Sequence, residues 1–124
     1  MSTTYVNSQS STGTCTATAA AGQATTTWSL CSLSISMAGP TSGPNAKVTV
    51  YDGAVGGDVI FAAFLGGVRD AVGSVGTIQD IPLPKDPQGR QGLQGTPGRA
   101  MNIQVVGTGA NRVSINARFS DALP

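Results

Sequence analysis

Arg112-Val113-Ser114-Ile115-Asn116-Ala117-Arg118-Phe119 places an apolar residue at every second position: Val113, Ile115, Ala117 and Phe119 fall on one face, Arg112, Ser114, Asn116 and Arg118 on the other. A period of two belongs to a strand, whose successive side chains point to opposite faces, one packed on a core and one wet. Just upstream, Met101, Ile103 and Val105 repeat the pattern across Ala100–Val106. Between the two runs Gly107-Thr108-Gly109-Ala110-Asn111 has the composition of a turn, so the pair is expected to close the chain as a hairpin.

The same period recurs toward the N-terminus. Cys15, Ala17 and Ala19 alternate with Thr14, Thr16 and Thr18, and a short turn near Gly22 leads into a long strand over Thr25–Met37. In that strand Leu33, Ile35 and Met37 are in phase with each other, whereas Trp28 and Leu30 are out of phase with them. One extra residue near Cys31–Ser32, a β-bulge, brings all five to the core side. Gly39-Pro40-Thr41-Ser42-Gly43-Pro44-Asn45 is a turn cluster, followed by a strand over Lys47–Tyr51 with Val48 and Val50 opposite Thr49 and Tyr51. Asp52-Gly53 ends it, and Gly56-Gly57 restarts the chain into Asp58–Leu65.

This next strand is apolar on both faces, Val59, Phe61, Ala63 and Leu65 against Ile60, Ala62 and Phe64. Its second face is therefore expected either to be covered within the domain or to meet another chain. Gly66–Gly76 reads as a loop or a short helical turn around Val68–Val72, and Thr77–Leu83 as a strand whose prolines, Pro82 and Pro84, put its end at an edge.

About seven short strands without an intervening helix leave no room for parallel crossovers, so pairing is antiparallel. The expected fold is all-β, a two-sheet antiparallel β-sandwich in jelly-roll or immunoglobulin-like order. The 124-residue length suits one domain, and 17 Gly, 7 Pro and no Glu agree with many tight connections and little helix. Residues 14–124 are read as that single domain, and residues 1–13 as a polar, extended N-terminal arm whose only apolar anchors are Tyr5 and Val6. An arm of this kind is suited to docking on a neighbouring subunit.

Asp86–Gly98 carries glycine at a strict spacing of three, Gly89, Gly92, Gly95 and Gly98. Collagen-like helices need that period because only glycine fits at their axis, but this run is too short to hold three chains by itself. It reads as an extended loop, or as a loop that three subunits bring together at a three-fold axis. Thr96-Pro97-Gly98 has Pro and Gly where a type II turn demands them.

Several function classes are disfavoured by composition. Two Lys, five Arg and six Asp are nearly balanced and unclustered, which argues against nucleic acid and against an anionic membrane surface as partners. No basic and apolar leader is visible at Met1–Asn7, and the longest apolar run, Val59–Leu65, is far short of the ~20 residues that span a bilayer. Synthesis in a cytoplasm is expected, and there Cys15 and Cys31 act as small hydrophobes rather than as a disulfide.

The chain has no histidine, so it lacks the commonest general base and metal ligand. Lys47 and Lys85 sit beside turns, where a solvated amine rather than a Ser–Lys dyad is expected. Asp52 and Asp58 offer a cation only two carboxylates. Trp28, Tyr5 and Tyr51 form a sugar-stacking platform only if they converge and Trp28 is not buried. No enzyme activity, cofactor or metal is expected.

Three stretches together, GQATTTWSLCSLSISMAGP, KVTVYDGAVGGDVIFAAFL and GTPGRAMNIQVVGTGANRVSINARF, resemble the small β-sandwich structural proteins of tailed bacteriophages over about Ala24–Phe119. The resemblance lies in turn chemistry and alternation, and no defined site residue comes with it. It implies a virion protein, either a capsid decoration (cement) protein, commonly a trimer, bound to the major capsid protein on the head surface, or a receptor- or glycan-binding module of a tail or fibre. The interface residues expected on this reading are Tyr5 and Val6 of the arm, Ile60 and Phe64 on the second face of the apolar strand, and Gly89, Gly92 and Gly95 of the loop.

Overall fold

The structure is a computed structural model and describes residues 3–10, 14–20, 27–39, 46–65, 75–84, 92–106 and 112–122. Its strands are β1 (Thr3–Ser10), β2 (Thr14–Ala19), β3 (Thr27–Gly39), β4 (Ala46–Asp52), β5 (Asp58–Leu65), β6 (Val75–Asp80), the two-residue β7 (Leu93–Gln94), β8 (Met101–Val106) and β9 (Arg112–Ala122). No helix among the described residues is long and apolar enough to cross a membrane.

Two antiparallel sheets face each other. The first has the order β1-β9-β3-β6, with β7 also on β3, and the second has the order β2-β8-β4-β5. Leaving β7 aside, the pairs β1·β9, β2·β8, β3·β6 and β4·β5 nest as in one long folded ribbon. The pairings β3·β9 and β4·β8 then roll that ribbon into two layers. This is jelly-roll order, which settles the choice between jelly-roll and immunoglobulin-like topology.

The core fills the space between the layers. Leu30, Leu33, Ile35, Val113, Ile115, Ala117 and Phe119 enter it from the first sheet, and Cys15, Ala17, Ala19, Val48, Val50, Met101, Ile103 and Val105 from the second. Each large aliphatic side chain removed from water here contributes roughly 1.5–3 kcal/mol, so this layer dominates the stability. Cys15 is buried and Cys31 half-buried, both free thiols.

The bulge expected near Cys31–Ser32 is present. Leu30 pairs with Phe119 and Ser32 with Arg118, so Cys31 is the surplus residue. Leu30, Leu33 and Ile35 consequently share the core side, with Trp28 packed partly against it. The Trp28 ring meets Phe119 edge-on, with centroids 6.2 Å apart, and its Nε1 donates to the Ala20 carbonyl at 2.8 Å.

The closing hairpin is corrected. β8 and β9 do not pair: β8 lies between β2 and β4, while β9 lies between β1 and β3 in the other sheet. Both runs point their apolar residues into the same core from opposite sides, a relation that alternation alone does not distinguish from pairing.

The face assignment in β5 is corrected too. Val50 pairs with Phe61 but Tyr51 with Val59, so Ile60 is a bulged residue and the phase changes there. Ile60, Phe61 and Ala63 pack against the core, while Val59 and Phe64 are exposed.

Within the segment read as an arm, Thr3–Ser10 is a full strand paired with β9 from Thr3↔Ser120 to Ser10↔Val113. Its inward positions are Val6, Ser8 and Ser10, and Ser8 is satisfied by donating its hydroxyl to the Thr16 carbonyl at 2.6 Å. The strand expected over Thr77–Leu83 runs over Val75–Asp80, after which Ile81 donates its N–H to the Leu33 carbonyl at 2.9 Å and Ile81 and Leu83 are buried. The turns expected near Gly22, over most of Gly39–Asn45 and at Gly107–Asn111, the segment 66–74 and Gly89 lie outside the described residues.

Candidate functional site

The residues singled out from the sequence fall in three separate places. The first is the outer face of the second sheet. β5 is the last strand in that sheet's order, and from Val59 to Leu65 it carries no charge. Phe64 is 72% and Val59 56% exposed. Across the strands, Lys47 pairs with both Phe64 and Val106, and Val106 is 47% exposed. Two exposed apolar residues thus flank Lys47 across the strands. Ile60 does not join them, because the bulge turns it toward the core.

The second place is the outer face of the first sheet. Register sets Tyr5, Arg118 and Ser32 in one cross-strand row, and Asn7, Asn116 and Ser34 in the next. These side chains and the backbone at Val6 and Ala117 line a groove of about 340 Å³. Tyr5 is 75% exposed at its rim, while Val6 is half-buried and packed toward the core. Asn7 Nδ2 donates to Asn116 Oδ1 at 2.6 Å, and Gln9 Nε2 donates to Asn7 Oδ1 at 3.0 Å, which fixes the amides of this row. Arg118 Nε is buried and makes no hydrogen bond.

The third place is the corner where the glycine-rich loop meets β4. Gly92 donates its N–H to the Pro84 carbonyl and Gly95 to the Trp28 carbonyl, both at 2.9 Å. Arg99 N–H donates to the Thr96 carbonyl at 3.2 Å with Gly98 at φ 82°, the type II turn read from Thr96-Pro97-Gly98. Asp52, buried at the end of β4, accepts from the Thr96 N–H at 3.0 Å and from the Thr96 hydroxyl. The Arg99 guanidinium lies 3.2 Å from Asp58 and 3.9 Å from Asp52. The two carboxylates that composition offers to a cation therefore share an arginine and anchor a turn. No group of three or more metal-ligating side chains occurs among the described residues.

The three places do not converge. Tyr5 and Phe64 lie on outer faces of opposite sheets, and Gly92 and Gly95 lie against β3 at the loop corner. Nor do Trp28, Tyr5 and Tyr51 form one platform: Trp28 packs on Phe119, and Tyr51 belongs to the second sheet. The Arg118 groove was missed because an arginine on the wet face of an alternating strand looks like an ordinary surface charge. Its signal was the row it shares with Tyr5, which needs β1 to be a strand.

No protein-family model and no curated protein matches the chain. Among solved structures, the chain is similar to FlgD from P. aeruginosa at 21% identity, covering 89% of this chain and 73% of that one with a TM-score of 0.33. It is similar to a structure described as CBM4 at 11% identity, 97% and 93% coverage and a TM-score of 0.36. A chain of broad bean stain virus is similar at 9% identity, 98% and 90% coverage and a TM-score of 0.33.

Proposed function

We propose that this chain is a non-enzymatic structural protein of a bacteriophage virion, a decoration protein that binds the major capsid protein on the outside of the shell and associates with its own copies, as a trimer. The observation that carries the reading is the exposed apolar side chains of β5, the strand at the end of its sheet: Phe64, in one row with Lys47 and Val106, and Val59 toward the other end of the strand. An exposed aromatic side chain on an unpaired strand edge, with further exposed apolar side chains on the same face, suits an interface. The sequence resemblance to phage β-sandwich proteins supports the virion setting.

The mechanism is passive. Seating this face across neighbouring capsid subunits buries apolar area, in a standard interface ~1,600 Å², and so opposes outward pressure on the shell. The test is co-sedimentation of the purified chain with shells of its own phage prepared without it. The expected result is saturable binding, with Phe64→Ser weakening it at least tenfold while the melting midpoint stays put. Absence of binding, or equal binding by the variant, overturns the reading. The glycan-binding alternative retains one specific support, the Tyr5–Arg118 groove.

A further inference from the structure

We infer that the groove on the outer face of the first sheet binds a carboxylate-bearing saccharide, with Arg118 as its anion-recognising residue and Tyr5 as its stacking face. The inference does not depend on the capsid reading, whose surface lies on the other sheet.

Arg118 stands in the centre of the row Tyr5–Arg118–Ser32, and its Nε is shielded from water without an acceptor in place of that water. Orphaned buried donors are rare in folded proteins, and each calls for a missing partner. A guanidinium cannot shed its proton to relieve the cost. Arg99, by contrast, is matched by Asp58 at 3.2 Å, so this chain does pair an arginine where a carboxylate is within reach.

The surroundings of Arg118 are mainly donors. Asn116 Oδ1 accepts from Asn7 Nδ2 at 2.6 Å, which leaves the Asn116 amide its donors to offer. Ser32 and Ser34 add hydroxyls from β3. Asp80 is the residue in register beyond Ser34, two strands away from β9. A ligand that fits must bring acceptors, and a carboxylate lying across Nε and one Nη makes two parallel charge-assisted bonds at once.

The rest of the lining specifies a sugar. Adjacent strands are ~4.8 Å apart, so each row sets its hydroxyl, amide and guanidinium groups apart by a distance on the scale of a pyranose ring's width. Tyr5, 75% exposed beside the guanidinium, offers a flat apolar face for the ring's C–H side. The volume of about 340 Å³ is at the small end for a ligand site and accommodates one or two rings.

The experiment titrates the full chain with uronic-acid and sialic-acid trisaccharides, each beside its neutral counterpart, and follows the Arg118 Nε–H resonance by NMR together with the binding isotherm. At least one acidic saccharide is expected to bind at least tenfold more tightly than its neutral counterpart and to shift that resonance. Arg118→Gln should abolish the preference and Tyr5→Ala should weaken binding of the acidic sugar, both with unchanged backbone spectra. Arg118→Lys should recover only part of the affinity, because it keeps the charge and loses the planar pair of donors.

Equal binding of acidic and neutral sugars, a preference that survives Arg118→Gln, or no binding by any member of the panel overturns the inference. If Arg118→Gln instead removes shell binding while no saccharide binds, the groove serves a protein partner and the inference is again wrong. Failure of the Phe64 test leaves this result untouched, so the two readings fail separately.

Discussion

Gly92 and Gly56 both adopt positive φ, 153° and 90°, yet they answer to different constraints. A Cβ on Gly92 would stand 2.9 Å from the Leu30 carbonyl oxygen, against the backbone of β3, whereas a Cβ on Gly56 meets nothing within 4 Å. Gly56→Ala therefore carries only the backbone cost of a left-handed alanine, about 1 kcal/mol. Gly92→Ala adds a clash with main chain that cannot move without breaking β3, and should cost roughly 3 kcal/mol. Urea unfolding of the two variants measures the difference, and equal losses would mean that the loop does not pack as described. Gly95 is confined as well, with a Cβ 3.0 Å from Asp52 Oδ1 and 3.2 Å from Met101 Cε. The spacing of three was legible in the sequence, but its cause was not. Close approach to β3 and to Asp52 gives Gly92 and Gly95 an intrachain role, and that approach appears only once β3, β4 and the loop are brought together.

At the scale of the strand, what could be read depended on how many polar residues a segment mixed with apolar ones. β3 has enough of both that the phase break between Leu30 and Leu33 betrayed its bulge. β5 is apolar throughout, so its alternation carries no phase and the bulge at Ile60 left no trace. β1 is the opposite case, mostly polar, with Val6 as its one inward apolar residue and Ser8 and Ser10 at the other inward positions, where core residues would have declared the strand; the Ser8 hydroxyl bonds the Thr16 carbonyl of β2 instead. The β3 bulge gives a sharp prediction. Deleting Cys31 leaves Leu30↔Phe119 and Ser32↔Arg118 as consecutive pairs and turns the bulged strand into regular alternation, with Leu30 and Trp28 still on the core side. The loss should therefore stay within about 2 kcal/mol, with the Trp28 near-ultraviolet dichroism retained. Cys31→Ser keeps the residue count and should stay within about 1 kcal/mol of the parent by thermal melting. A deletion that costs about 4 kcal/mol, as emptying a large core site does, or that loses the Trp28 signal, would show that Cys31 is not the surplus residue.

Over the whole molecule, the jelly roll is closed by its two ends. β1 and β9 pair along eight positions, and β9 in turn carries β3, so the first sheet is complete only when the earliest and latest strands have met. A detachable arm and an integral edge strand make opposite forecasts for a chain that begins at Ser11. Losing an arm would leave stability unchanged. Losing β1 strips β9 of its neighbour, uncovers the inner flank where Val6 packs on the core, and removes the Ser8 bond to Thr16. A cost of about 3 kcal/mol follows from one part-buried aliphatic and a strand's worth of exposed backbone, which for a domain of this size lowers the melting midpoint by roughly 10 °C. The bared edge of β9 also becomes a template for pairing with other chains, so the truncated protein should associate in a concentration-dependent way. Calorimetry and sedimentation on the same preparation read both effects. A truncated chain that melts where the parent does, and stays at the parent's oligomeric state at every concentration, would show that β1 is no part of the folded unit and would take the Arg118 groove away with it.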